Sequence, residues 1–224
     1  ADCKDGTVNR IDTASLAVTA SVTTGLASPG EFNVAYGAGS LWVPSDEKGV
    51  VSRIDPETLK VTATIPVDPG TWYLVYGYDS LWAASSTHNS LQRIDPQTNT
   101  VVHKTVTGNE PGFLAAGEGG VWVQEQGDGT MARVDPVTGE VNGRVKIGEK
   151  LKWGEVTAGG GKIWLSTTED QMFVVIDPQT LAIRARIGPQ IGSGALRYVD
   201  AGLWTTEHDV ETMTWWPNPE AIGN

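Results

Sequence analysis

The chain has 224 residues, 39% of them hydrophobic, and a formal charge of −11. That composition rules out a disordered chain, and the charge makes nucleic acid and anionic membrane poor partners while favouring a cationic ligand or a divalent metal. Cys3 is the single cysteine, so no intrachain disulfide can form, and no apolar run approaches the roughly 20 residues of a membrane-spanning helix.

In chain order, residues 6–23 read as two strands joined by a turn near "RIDT" (10–13). Residues 31–67 read as four strands: "FNVAYG" (32–37), "LWVPS" (41–45), "VVSRID" (50–55) and "KVTATIPV" (60–67). The alternation in "VTATI" marks a half-buried strand, and "AGS" and "DPET" supply the turns. The four-strand pattern returns over 72–107, 113–147 and 155–187, and its first half returns over 194–207.

Two markers share one period. Asp12, Asp55, Asp95, Asp135 and Asp177 are spaced by 43, 40, 40 and 42 residues, and Trp42, Trp82, Trp122, Trp164 and Trp204 by 40, 40, 42 and 40. A period of about 40 in an all-β pattern is that of a β-propeller blade. The expectation is one domain, 1–224, of five four-stranded blades. Strands from 6–23 and 194–207 then close the last blade together, which removes open sheet edges. The stretch "VETMTWW" (210–216) competes with residues 6–12 for the third-strand place, as in a ring of six or seven blades.

The recurring Asp reads as structural. In "DPET", "DPQT", "DPVT" and "DPQT" the Asp accepts backbone N–H groups, and Pro presets φ near −65° for a type I turn. A catalytic carboxylate is needed once, but a turn is needed in every blade. The Arg of "RID" is repeated too, and is expected to pair with an acid of a neighbouring blade. The repeated Trp is expected in the core between blades.

The stretch "GAGSLWVPSDEKGVVSRIDPETLKVTATIPV" (37–67) resembles the YVTN-type repeat of bacterial propellers and the related repeat of the streptogramin (virginiamycin B) lyases. The resemblance covers nearly the whole chain. It implies a secreted or periplasmic propeller with a divalent metal, Mg2+ or Ca2+, held and assisted by Glu and His on one face. The start at Ala1 suits a mature secreted form or a fragment. In the lyase repeat a Glu often follows the Trp by three residues; Glu125 ("VWVQE") and Glu207 ("LWTTE") match it. The lyase His at the start of the first strand is not matched; Glu31 and Trp153 stand near that place.

In a repeat protein, structural residues recur and functional ones break the pattern. Where first strands begin and second strands end, the pattern is broken by Glu31, Trp72, Tyr73, Glu125, Trp153, Glu155, Arg197, Glu207 and His208. All are candidate ligand-binding residues at a channel rim. Glu155, Glu207 and His208 are the candidate metal ligands, and Glu207 with His208 the candidate acid–base pair. The bland alternative is a set of solvated loop residues on an acidic protein. Three functions follow: binding of a small molecule or another protein at the rim, a metal-dependent lyase or lactonase, or a self-assembling structural module. His103 falls on an outer strand and His88 in a loop, and no zinc spacing, phosphate loop or nucleophile elbow is present.

Overall fold

The structure is a computed structural model and describes residues 6–24, 32–45, 48–151, 154–167, 172–189, 194–200 and 202–223. The chain divides into two compact units, Ala1–Val106 and Thr107–Asn224. In the first, β1 (Thr7–Ile11) and β2 (Val18–Thr23) pair as a two-stranded sheet. Then come β3 (Ala35–Gly37), β4 (Ser40–Ser45), β5 (Val50–Ile54) and β6 (Val61–Pro66), followed by β7 (Thr71–Gly77), β8 (Ser80–Ser85), β9 (Ser90–Asp95) and β10 (Thr100–Val106), as two four-stranded sheets.

The second unit repeats the design. One four-stranded sheet is β11 (Pro111–Gly117), β12 (Gly120–Glu125), β13 (Thr130–Val134) and β14 (Val141–Lys146). The next is β15 (Val156–Gly159), β16 (Lys162–Ser166), β17 (Phe173–Ile176) and β18 (Ile183–Ile187). A three-stranded sheet follows: β19 (Leu196–Val199), β20 (Gly202–Glu207) and β21 (Thr212–Trp216). A short 3-10 turn, Pro219–Ala221, comes after it. No helix among the described residues is long and apolar enough to cross a membrane.

Burial follows strand position. The second strands β8 and β12 are buried along their whole length, while the fourth strands β10 and β14 alternate between exposed and covered residues. That is the difference between a strand covered on both faces and one at the rim. The β1–β2 pair is not loose: Val8 and Val22 pack with Val43 of β4 and Ile54 of β5.

The order of the last sheet corrects one expectation. β21 takes the third-strand place beside β20, with Glu207 opposite Thr212 and Leu203 opposite Trp216. Residues 7–23 pair with each other instead. The described strands therefore make four complete four-stranded sheets, not five. The residues "TMTWW" (212–216) carry a third-strand pattern of their own, and adjacency in sequence favours the local β20–β21 hairpin over a distant partner.

The repeated residues act at one end of each sheet, the turn end. Asp55 accepts N–H bonds from Glu57 at 2.8 Å and Thr58 at 2.9 Å; Asp135 and Asp177 do the same with Val137 and Thr138, and with Gln179 and Thr180. The hairpin then closes through a residue with positive φ: Leu16, Leu59, Asn99, Gly139 or Leu181. The indoles of Trp42, Trp82, Trp122 and Trp164 are wholly buried, and each donates to a first-strand glycine carbonyl: Gly37, Gly77, Gly117 or Gly159. Truncating one of them would cost about 3–5 kcal/mol.

Two further expectations are revised. The repeated Arg pairs with a carbonyl, not with an acid: Arg53 donates to Pro96 O and Arg133 to Pro178 O, each at 2.6 Å in the turn of the following sheet. A planar guanidinium can do this while lying over an indole, as Arg53 does at 4.8 Å from the Trp42 ring. Trp204 is not core: it is 38% exposed and stacks at 4.8 Å on Trp215, which stands in β21 where β13 has Arg133.

Candidate functional site

At the other end, here the loop end, first strands begin, second strands finish and third strands begin. No two sheets are alike there. In the β7–β10 sheet, Asp68 accepts from Ser90 Oγ at 2.7 Å and pairs with Lys104 at 2.6 Å. Burial pushes the Asp68 carboxyl up, but the hydrogen bonds from Lys104 and Ser90 outweigh it and hold it below its usual value. In the β11–β14 sheet Glu125 is fully buried and takes the Gly108 N–H at 2.7 Å, the Thr130 hydroxyl at 2.5 Å and the Arg144 guanidinium at 3.0 Å. A carboxylate with that many donors is fixed, so its burial is tolerated.

Between the last two sheets, Gly154 forms a parallel bridge with Gly194, just ahead of β15 and β19. Neither position can hold a larger residue. A Cβ on Gly154 would lie 1.9 Å from Ser166 O, and one on Gly194 would lie 2.0 Å from Thr206 O. The next acid, Glu155, pairs with Arg197 of β19. Glu207 ends β20 at 2% exposure, accepting from Thr205 Oγ1 at 2.5 Å and Thr212 Oγ1 at 2.6 Å. His208, next to it, is exposed.

The described candidates belong to both units. Glu155 with Arg197, and Glu207 with its threonines, occupy the loop end of the second unit, and Glu125 sits in its own network there. Trp72 and Tyr73 lie in β7 of the first unit; Tyr73 is 5% exposed, and the Trp72 indole N–H is buried without a partner. Glu31, Trp153 and Cys3 lie outside the described residues. Among the described residues no three His, Cys, Asp or Glu side chains gather into a metal-binding group. Among the candidate carboxylates that are described, Glu125 and Glu155 are held by guanidinium groups, and Glu207 by hydroxyls.

The sequence reading missed one residue. Gln124 of β12 is fully buried, and neither its Oε1 nor its Nε2 has a hydrogen-bond partner. It lies between two glycines: a Cβ on Gly112 would stand 3.3 Å from Gln124 Oε1, and one on Gly154 3.3 Å from Gln124 Nε2. Leaving both ends of a buried amide unpaired is costly, and such groups mark places where a water or ligand belongs. The signal was present in the sequence. Two residues after the repeated Trp stand Pro44, Ala84, Gln124, Ser166 and Thr206, and the long amide breaks that series.

A separate polar cavity of about 510 Å³ lies at the turn end of the β15–β18 sheet, lined by Lys162, Asp177, Arg184 and Glu220 among others. Its charges are internally engaged. Lys162 donates to the Glu220 and Ile222 carbonyls, Arg184 pairs with Asp177, and Glu220 accepts from Tyr198. Desolvation lowers the Lys162 pKa, which Glu220 partly offsets.

Antiparallel sheets repeated in this way, with a buried Trp in each second strand of the complete ones, are the units of a β-propeller, and known propellers share the fold. Virginiamycin B lyase from Staphylococcus aureus is similar with a TM-score of 0.77 and 13% identity, over 96% of this chain and 74% of that one. Kuenenia stuttgartiensis hydrazine synthase gives 0.76 at 14% identity, over 94% of this chain and 70% of that one. BamB from Moraxella catarrhalis gives 0.70 at 16%, over 95% and 67%. At such identities the likeness is one of fold. No family model matches the chain, and no curated protein matches it either.

Proposed function

We propose that the chain is an extracytoplasmic propeller that binds a small polar ligand at the loop end of its second unit. The observation that carries this reading is Gln124. Its amide offers an N–H donor group and a carbonyl acceptor, both buried and without a partner among the described residues, beside glycines that keep the backbone close. The ligand it suits presents a matching acceptor and donor, as a carboxamide, a carboxylic acid or a vicinal diol does. Glu155 and Arg197 stand at the start of the neighbouring strands and can orient a charged end of such a ligand. The extracytoplasmic setting rests on the resemblance to the secreted YVTN-type repeat.

A thermal-shift screen of amides, small acids and sugars tests this. A ligand that raises the Tm of the native chain should lose its effect in Gln124→Leu, whose own Tm should be equal or higher because an unpaired amide is gone. A Gln124→Leu variant that keeps full ligand response would sink the reading. The rival metal-dependent lyase or lactonase predicts instead that Mg2+ or Ca2+ raises the Tm and that EDTA reverses it.

A further inference from the structure

Three of the four complete sheets carry a basic residue at one place on their fourth strands; the β3–β6 sheet has Thr64 there, opposite Ser52. Lys104 stands opposite Gln92, Arg144 opposite Ala132 and Arg186 opposite Val174. Lys104 pairs with Asp68, Arg144 with Glu125, and Arg186 donates to Ile147 O at 2.7 Å. The residue after each is Thr105, Val145 or Ile187, facing the third strand at Leu91, Met131 or Phe173. Three of the four fourth strands therefore present a cation followed by a β-branched residue.

The last sheet repeats the receiving half of that arrangement without the donor. Glu207 and Thr212 stand where Glu125 and Thr130 do, and Met213 and Thr214 where Met131 and Ala132 do, because β20–β21 and β12–β13 share one register. Glu125 has Arg144; among the described residues Glu207 has two hydroxyl donors and no cation. Directly after β21 the chain forms no fourth strand among the described residues. It turns through Pro219–Ala221 toward Lys162, which holds the Glu220 and Ile222 carbonyls. β21 is left as a sheet edge with Met213 67% and Trp215 39% exposed, whereas the third strands β13 and β17 are mostly or wholly buried. Among the described residues no strand pairs with this edge, and "TMTWW" holds no charge and no proline, the composition of a strand that accepts another.

We propose that β21 is an acceptor for an extended basic segment of a partner protein, which adds as a fourth antiparallel strand. The segment places Arg or Lys opposite Thr214 and a β-branched residue opposite Met213. The cation pairs with Glu207 as Arg144 pairs with Glu125, and the β-branched side chain covers Met213 as Val145 covers Met131. Main-chain hydrogen bonds supply affinity, and the buried carboxylate supplies selectivity for positive charge. This site is independent of Gln124.

The test uses a fluorescein-labelled peptide with the sequence of residues 140–147, EVNGRVKI, titrated with the full chain and read by anisotropy. Saturable binding is expected. Glu207→Gln, or a peptide with its Arg replaced by Glu, should each weaken it by about tenfold or more. Met213→Pro, which blocks the strand edge, should abolish it, while Gln124→Leu should leave it unchanged. Circular dichroism confirms folding, and the peptide substitution keeps the test valid if a protein variant misfolds. Absence of binding overturns the proposal, as does equal binding of the Glu-containing peptide. A dimer by light scattering that Met213→Pro dissociates, with no peptide bound, also overturns it by assigning the edge to a second copy.

Discussion

The turn end and the loop end of these sheets are made by the same strands, yet they follow opposite rules. At the turn end Asp55, Asp135 and Asp177 make nearly superimposable contacts to two backbone N–H groups of their own turns, and Asp177 adds Arg184. At the loop end Asp68, Glu125, Glu155 and Glu207 each have a different partner set: Lys104 and Ser90; Arg144, Thr130 and Gly108; Arg197; Thr205 and Thr212. Local contacts copy with the repeat because the partner travels with the residue. Long-range contacts between side chains copy less faithfully, since each depends on a second position that can drift. Chemistry particular to one blade therefore collects at the loop end.

The sharpest way to break the comparison is to remove an arginine from each end. Arg144 and Arg184 are similarly exposed, at 46% and 45%, but the carboxylate of Glu125 is fully buried and that of Asp177 is 21% exposed. Arg144→Ala should cost about 2–3 kcal/mol after allowance for its own exposure, because Glu125 is left buried without its cation. Arg184→Ala should cost well under 1 kcal/mol. Urea denaturation of both variants decides it, and equal losses would erase the distinction.

Acid should act next, and through the turns. Backbone N–H groups of Ser15, Thr58, Thr138 and Thr180 hold Asp12, Asp55, Asp135 and Asp177 below their usual pKa, with Arg184 adding to the effect at Asp177. A depressed folded-state pKa means that the stabilisation is complete above the unfolded value of about 3.9. It is lost as pH falls through the folded values. Tm should be flat with respect to these groups from neutral pH down to about 4 and then fall. Asp135→Asn should flatten that acid limb without moving the neutral plateau by more than a few degrees.

A single turn matters less. Asp95→Ala should lower stability by about 1 kcal/mol and leave any ligand response at the loop end intact; a folded variant that no longer binds would show that the two ends are not separate. The smallest effect is expected at Leu16, which is 78% exposed with φ of 56°. Leu16→Gly should stabilise by about 0.5 kcal/mol, since the relief of a left-handed conformation slightly exceeds the added chain entropy. A loss would mean that the side chain packs after all.

The periodic part of this molecule was legible in the sequence. Spacing alone located Trp42, Trp82, Trp122 and Trp164 in the core and the Asp-Pro turns at the hairpins, because both depend on neighbours a few residues away. The left-handed residue that closes each turn was not legible, since Leu59 and Leu181 hold a place that sequence rules reserve for Gly or Asn. The partner of Glu125 was hidden for a different reason. Arg144 sits in "VNGRVK", where it looks like any outward residue of an outer strand, and only the three-strand crossing brings it to the carboxylate. The last sheet was ambiguous because 6–12 and 210–216 both carry a third-strand pattern, and pairing cannot be ranked from pattern alone.

One contact has a consequence for how such a chain can change length. Arg53 and Arg133 grip the carbonyl oxygens of Pro96 and Pro178 in the turn of the following sheet, and Arg53 also reaches the Asn99 side-chain oxygen there. The part of the hook that fastens to main chain is indifferent to the side chains of the following unit, and the sheets that carry Arg53 and Arg133 also carry an Asp-Pro turn of their own. Duplicating a copy that carries both the Arg and the Asp-Pro turn would reproduce this main-chain contact at the new junction. Where the copies stop being regular the fastening persists in altered form. Val175 replaces the Arg, and Lys162 from the neighbouring strand catches the Glu220 and Ile222 carbonyls in its place.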